Sequence, residues 1–213
     1  MAAVIEREIE ITSGKARLGG MLGIPEGAGG IVLFAHGSGS GRFSPRNQYV
    51  AGVLREAGIA TLLMDLLEEW ESEDRAKVFD IGLLAERLLS ATVWVREQPE
   101  TRDLSVGYFG ASTGAAAALE AAAKSDVEIK AVVSRGGRPD LAMEYLPNVK
   151  APTLLIVGGN DGPVIGMNRE AFENLPGEKE MVIVPGAGHL FEEPGTLEKV
   201  AFLARDWFAG HLA

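Results

Sequence analysis

The sequence predicts an α/β protein: an eight-stranded, mostly parallel sheet with helices on both faces. Two observations carry this. Short runs rich in β-formers alternate with longer helical stretches along the whole chain. Most of the short runs are continuously apolar, as strands buried on both faces must be, whereas the first two are not.

Residues 6–11 alternate polar and apolar, the pattern of a half-exposed strand. Residues 16–24 read as its partner, with Ser13-Gly14 in the turn, so these two form an antiparallel edge. Residues 30–35 (Gly-Ile-Val-Leu-Phe-Ala) are the first fully buried strand. The runs at 59–64, 104–109, 129–134 and 153–157 share that character, and 180–184 is the last. Helices are expected between them. One spans 47–57 behind Pro45, a residue suited to a first helical turn. The longest spans 77–97, with Val78, Ile81, Leu84, Leu88 and Leu89 as its apolar stripe. The 113–124 helix is nearly all Ala, the strongest helix former. Segments 140–146, 164–175 and 196–211 complete the set. No composition break or repeat interrupts the pattern, so residues 1–213 are read as one domain. The acidic stretch at 68–74 follows a strand and reads as a solvated loop. The sharper alternative is a flap beside a site, with Trp70 facing a ligand.

Charge narrows the function classes. Lys plus Arg total 20 against 30 Asp plus Glu, a formal charge of −10. No basic surplus exists to neutralise phosphates, which argues against nucleic acid as a partner. An anionic lipid surface would repel such a chain. The absence of Cys removes thiolate nucleophiles and Cys-ligated zinc, and three His leave little room for a histidine-rich metal site. No cofactor or metal is expected. The first residues lack the basic-then-apolar order of a leader, and no apolar run approaches the ~20 residues that span a bilayer. The expectation is a cytoplasmic protein acting on a small molecule.

The chemistry lies in Gly110-Ala111-Ser112-Thr113-Gly114, a G-x-S-x-G match. It sits between a β run and an Ala-rich helix, the strand–turn–helix setting of a nucleophile elbow. Such a turn lifts the Ser112 hydroxyl off the sheet, over a helix N-terminus that favours developing negative charge. A hydroxyl needs a base, and His is the usual one. His211, near the C-terminus, reads as a solvated surface group. His36 opens a Gly-rich loop and reads as a structural hydrogen-bonding residue beneath it. His189, in the Gly-rich loop after the last strand, is the best-placed base. Asp161, just past another buried strand, is the acid to orient it. All three groups follow separate strands at their carboxyl ends, where open α/β sheets place their sites. For the oxyanion, one N–H should come from Thr113 and the second from the 36–41 loop, with Ser38 the choice.

These residues, in the order Ser112, Asp161, His189, resemble the α/β-hydrolase superfamily, and within it a compact branch similar to the dienelactone hydrolases. The anchors are His36-Gly37-Ser38, the Gly110–Gly114 motif, Gly159-Asn160-Asp161 and Gly188-His189, and the likeness covers nearly the whole chain. It implies the α/β-hydrolase fold with eight strands and no large cap domain. Dienelactone hydrolases proper use a Cys nucleophile controlled by a nearby carboxylate. This chain has Ser112, and Gly37-Ser38 where that carboxylate is expected. The expected activity is therefore a carboxylesterase-like cleavage of small or short-acyl esters through an acyl-enzyme, with dienelactone or lactone hydrolysis the alternative. Similar small Ser hydrolases with segments like Ser134-Arg135-Gly136-Gly137-Arg138-Pro139 occur fused to, or beside, phosphoribosyltransferase domains. No acidic pair leading into a phosphate-binding loop is found in this sequence.

Three side issues remain open at this level. Arg42, Arg46, Arg135 and Arg138 either hold a substrate carboxylate or pair with neighbouring acids. Leu66, Leu67, Trp70, Met143, Met167 and Phe191 are candidate pocket walls. A dinucleotide reading fails because Gly37, Gly39 and Gly41 do not fit G-x-G-x-x-G, and no Gly-Lys-Ser/Thr supplies a P-loop. A non-enzymatic ligand-binding role survives as a competitor, since fold alone does not imply activity.

Overall fold

In the computed structural model, which describes residues 4–212, the chain opens on an antiparallel hairpin of β1 (Val4–Ser13) and β2 (Ala16–Pro25). Residues 1–3, part of the stretch read above as lacking a leader, lie outside the described residues. Six shorter strands follow: β3 (Gly30–Ala35), β4 (Ala60–Met64), β5 (Ser105–Ala111), β6 (Ile129–Arg135), β7 (Thr153–Gly158) and β8 (Lys179–Val184). They form one eight-stranded sheet in the order β1-β2-β4-β3-β5-β6-β7-β8. β3 to β8 run parallel, and β2 joins β4 antiparallel. This is the expected eight-stranded sheet, and among the described residues no large cap covers it.

Alternation along each strand sends side chains to two cores. On one face Val32, Phe34, Phe109 and Val133 pack against α1 (Pro45–Glu56) and α7 (Thr196–His211). On the other, Leu33, Tyr108 and Val132 meet α4 (Ile81–Glu97) and α5 (Thr113–Lys124). Ala115, Ala116, Ala117 and Ala118 are all fully buried, so the Ala run is there for close packing of α5 on the sheet. α6 (Gly162–Asn174) and a 3₁₀ stretch (Pro139–Asn148) finish this layer.

The chain runs from β3 to β4 on one side, then crosses to β5 on the other side of β3. That reversal leaves a crevice at the carboxyl ends of β3 and β5, where doubly wound sheets bind ligands.

Between β4 and α4 the structure departs from the sequence reading. The expected 77–97 helix is broken at Asp80, whose carboxylate accepts the Leu83 amide at 2.9 Å and caps α4. Ahead of it lie two single-turn helices, α2 (Glu69–Ser72) and α3 (Arg75–Val78). The acidic stretch is thus not a wholly solvated loop. Glu71 is 3% exposed; its Oε1 accepts Lys77 Nζ at 3.0 Å and Arg87 Nη2 at 3.2 Å, and its Oε2 accepts the Glu68 amide at 3.0 Å. Burial works to raise the Glu71 carboxyl. The Glu68 amide, Lys77 and Arg87 together outweigh it and hold the group below the usual carboxylate range. Trp70 faces solvent, with its indole N–H on Glu68 and Lys77 over its ring. Among the described residues no helix is long and apolar enough to cross a membrane.

A Cβ at Gly114 would overlap the carbonyl oxygens of Ala35 and His36 at the end of β3. Those are backbone atoms of a central strand and cannot swing aside. Gly114→Ala is therefore expected to cost about 3 kcal/mol, read as a lower urea midpoint at unchanged m-value.

Candidate active site

Ser112 is the single residue between β5 and α5. Its backbone sits at φ 52°, ψ −122°, one of two positive φ values among the described non-glycine residues. Hydrogen bonds hold it on both sides. Its amide donates to the Arg135 carbonyl at 3.2 Å, and its carbonyl accepts the amides of Ala115 and Arg138, each at 3.1 Å. Gly110 is required here as well, because a Cβ would meet the backbone of Gly114 and Ala115. The two glycines let strand and helix close to the distance at which only a sharp turn fits.

The partners come from the far side of the sheet. The turn after β7 is joined to the loop after β8 by backbone hydrogen bonds: Gly159 N to Val184 O at 2.8 Å and Asn160 N to Ala187 O at 2.9 Å. The Asn160 side chain adds a bond to Gly186 O at 2.9 Å. This brings His189 Nδ1 to 2.7 Å from Asp161 Oδ2, while His189 Nε2 lies 3.3 Å from Ser112 Oγ. An ionised carboxylate can only accept, so Nδ1 carries the hydrogen and Nε2 offers a lone pair to the Ser112 hydroxyl. Asp161 is largely shielded, with its side chain 13% exposed, and His189 is open to solvent at 38%. The three sequence-selected groups therefore meet, across separations of 28 and 77 residues.

The loop after β3 lies against the same point. At Gly37 a Cβ would come within 3.1 Å of the Ser112 Cβ. Ser38 is exposed, and its amide donates to no group among the described residues. Thr113 opens α5 and so carries one of the N–H groups a helix leaves without an internal partner. His36 sits beneath the loop as expected. Its Nδ1–H donates to Gly37 O at 2.9 Å, and its Nε2 accepts the Leu66 amide at 2.9 Å. Burial pushes its imidazole below the ordinary histidine range; the bond to Gly37 and the charge of Asp65 pull the other way and lose.

A chamber of about 20 Å³ opens beside this loop, lined by Ser38, Leu67, Ser72, Val78, Leu84 and Thr113 among others. Of the candidate walls only Leu67 lines it. Leu66 and Phe191 are core residues, and Trp70 points outward. Sequence reasoning did not bring Val78 and Leu84 to this chamber, nor pair Glu71 with Arg87. The signal was present: Arg87 falls within the apolar stripe of α4, next to Leu84 and Leu88, and a charge there needs a buried partner.

Three of the four arginines pair with carboxylates: Arg42 with Asp65, Arg46 with Glu192 at 3.2 Å, and Arg138 with Asp140 at 2.8 Å. Arg135 is buried, donates to Asn47 Oδ1 at 3.2 Å, and has no carboxylate partner among the described residues. Burial, helped by nearby Arg46, pushes its guanidinium down to about 10. His211 is not the solvated group expected. It is half-buried, bonded to Trp207 O at 2.7 Å and set 3.3 Å from Glu178.

Comparisons with known proteins bear on the family and the fold. The model of the dienelactone hydrolase family matches residues 47–206. A crystal structure of a dienelactone hydrolase from Anabaena variabilis superposes with a TM-score of 0.95, at 59% identity over 99% of both chains. An esterase of Pyrococcus furiosus shares the fold at 17% identity, with a TM-score of 0.80 over 98% of this chain and 94% of that one. Among curated proteins, a putative phosphoribosyl transferase of Mycobacterium tuberculosis is 58% identical over 207 residues, 97% of this chain and 47% of the relative. The chain thus spans about half the length of that relative.

His36 supplies a pH test. Its folded-state affinity for protons is lowered, so its stabilising contribution is present above the ordinary histidine range and lost as the pH falls through and below it. Urea unfolding between about pH 7.5 and about pH 5.5 should show a clear loss in the wild type and a smaller one in His36→Gln.

Proposed function

The chain belongs to the dienelactone hydrolase family, and from that premise we propose that it is a serine hydrolase cleaving small carboxylic esters through an acyl-enzyme. One observation carries the reading: the unbroken chain from Asp161 through His189 to Ser112, at 2.7 and 3.3 Å. Ser112 Oγ attacks the ester carbonyl as its proton passes to His189 Nε2. Asp161 holds the tautomer and stabilises the imidazolium. The carbonyl oxygen, now an oxyanion, is met by the amides of Ser38 and Thr113, each worth about 3–4 kcal/mol in comparable sites. His189 then protonates the departing alkoxide. The covalent step leaves an acyl group on Ser112; water attacks its carbonyl as His189 takes a proton, the Oγ–acyl bond breaks, the carboxylic acid leaves, and His189 returns the proton to Ser112 Oγ.

The family and the Anabaena relative also support a second reading, lactone hydrolysis, since a lactone is a cyclic ester and needs the same groups. The transferase name of the mycobacterial relative is not carried over, because this chain matches only 47% of it.

The decisive measurement is turnover of p-nitrophenyl acetate. Ser112→Ala should lower kcat/KM by roughly 10³-fold or more, and equal rates in wild type and variant would remove the hydrolase reading. A fluorophosphonate probe should add covalently at Ser112, located by mass spectrometry. Asp161→Asn should leave the fold intact and cut kcat by about 10³–10⁴-fold, because Asn can stabilise the wrong imidazole tautomer. Comparison of γ-lactones with open-chain acetates of matched alcohols separates the two readings.

A further inference from the structure

Resting on the serine hydrolase reading, we propose that the chamber beneath α2 and α3 is the acyl pocket, that Val78 and Leu84 set its depth, and that Glu71 holds its outer wall in place. The position of His189 sets the direction in which an ester must lie. His189 reaches Ser112 from beyond β8, so the alkoxide it protonates leaves on the β6-to-β8 side of the nucleophile. The oxyanion is taken by amides at residues 38 and 113. The remaining substituent of the carbonyl carbon, the acyl group, is left to face β3 and β4. The chamber lined by Ser38, Leu67, Val78, Leu84 and Thr113 lies there.

Its size and lining define the acyl class. A volume of about 20 Å³ holds little more than one water-sized group. Leu84 and Leu67 form a buried apolar floor, and half-buried Val78 stands on the last turn of α3. A methyl group fits such a space; each further methylene displaces side chains that are themselves packed. Acetyl-sized acyl groups are therefore the fitting substrates.

The wall needs a support of its own. α2 and α3 are four residues each, far too short to persist as isolated helices. Glu71 ties them together: one carboxylate oxygen takes both Lys77 of α3 and Arg87 of α4, and the other takes the Glu68 amide at the start of α2. Arg87 lies one turn along α4 from Leu84, so the same ion pair that fixes the wall aligns it with the floor. Glu71 touches no substrate in this scheme and acts as a positioning residue.

The experiment compares kcat/KM for p-nitrophenyl acetate, butyrate and hexanoate in wild type, Val78→Ala, Leu84→Ala and Glu71→Gln, each checked for folding by circular dichroism. The wild type should lose about tenfold or more from acetate to butyrate. Val78→Ala and Leu84→Ala should each raise the butyrate-to-acetate ratio by about tenfold, and Glu71→Gln should raise it by loosening the wall. Val78 is only half-buried, so its variant keeps the test open where Leu84→Ala fails to fold. A Ser112-dependent activity that is flat across acyl length, or a ratio unmoved in folded variants, would overturn this inference while leaving the hydrolase reading intact. Absence of Ser112-dependent turnover for every ester would overturn both.

Discussion

Ser112 is held at φ 52°, a backbone conformation that costs a residue with a β-carbon about 1–3 kcal/mol. The cost is met by its neighbours. The carbonyl of Arg135 on β6 takes its amide, and amides from α5 and from the segment after β6 share its carbonyl. Gly110 and Gly114 remove the side chains that would keep α5 from closing on β5 and β3. Because the strain is imposed from three directions, the hydroxyl has a fixed position above the sheet. Every other group of the site is arranged around that point.

Two devices bring the other loops to it. The turn after β7 and the loop after β8 are joined by backbone hydrogen bonds, so Asp161 and His189 are held as one unit. On the opposite side, His36 joins the loop after β3 to the segment after β4, by donating to Gly37 and accepting from Leu66. A neutral imidazole suits that double role, and burial keeps it neutral. The loop of Ser38, then Ser112, Asp161 and His189, thus lie at the carboxyl ends of β3, β5, β7 and β8.

The Arg residues illustrate how neighbouring charge decides a role. Arg42, Arg46 and Arg138 spend their charge on Asp65, Glu192 and Asp140. Glu71 does the same for Arg87 in the wall of the chamber. In a chain of net charge −10 most cations find a local acid, and the long-range field is left to the carboxylates.

The amino-acid sequence by itself determined the eight strands, their continuous or alternating burial, the helix after Ser112 and the order of Ser112, Asp161 and His189. These are local properties: a period of two, a run of Ala, a Gly on each side of a Ser. It also placed His36 under its loop, since a histidine at the end of a buried strand needs hydrogen bonds. The acidic stretch at 68–74 was misread because Glu71 looks like its exposed neighbours in sequence; only the partner on α4, 16 residues further on, makes it a buried tie. The break at Asp80 was hidden for a related reason, since apolar spacing continues across it and the capping bond does not show in the pattern. Tertiary structure alone decided the closeness of the three site groups, the half-burial of His211 and the size of the chamber. Each depends on side chains that are distant along the chain and adjacent only once the sheet has closed, and no local period records such a distance.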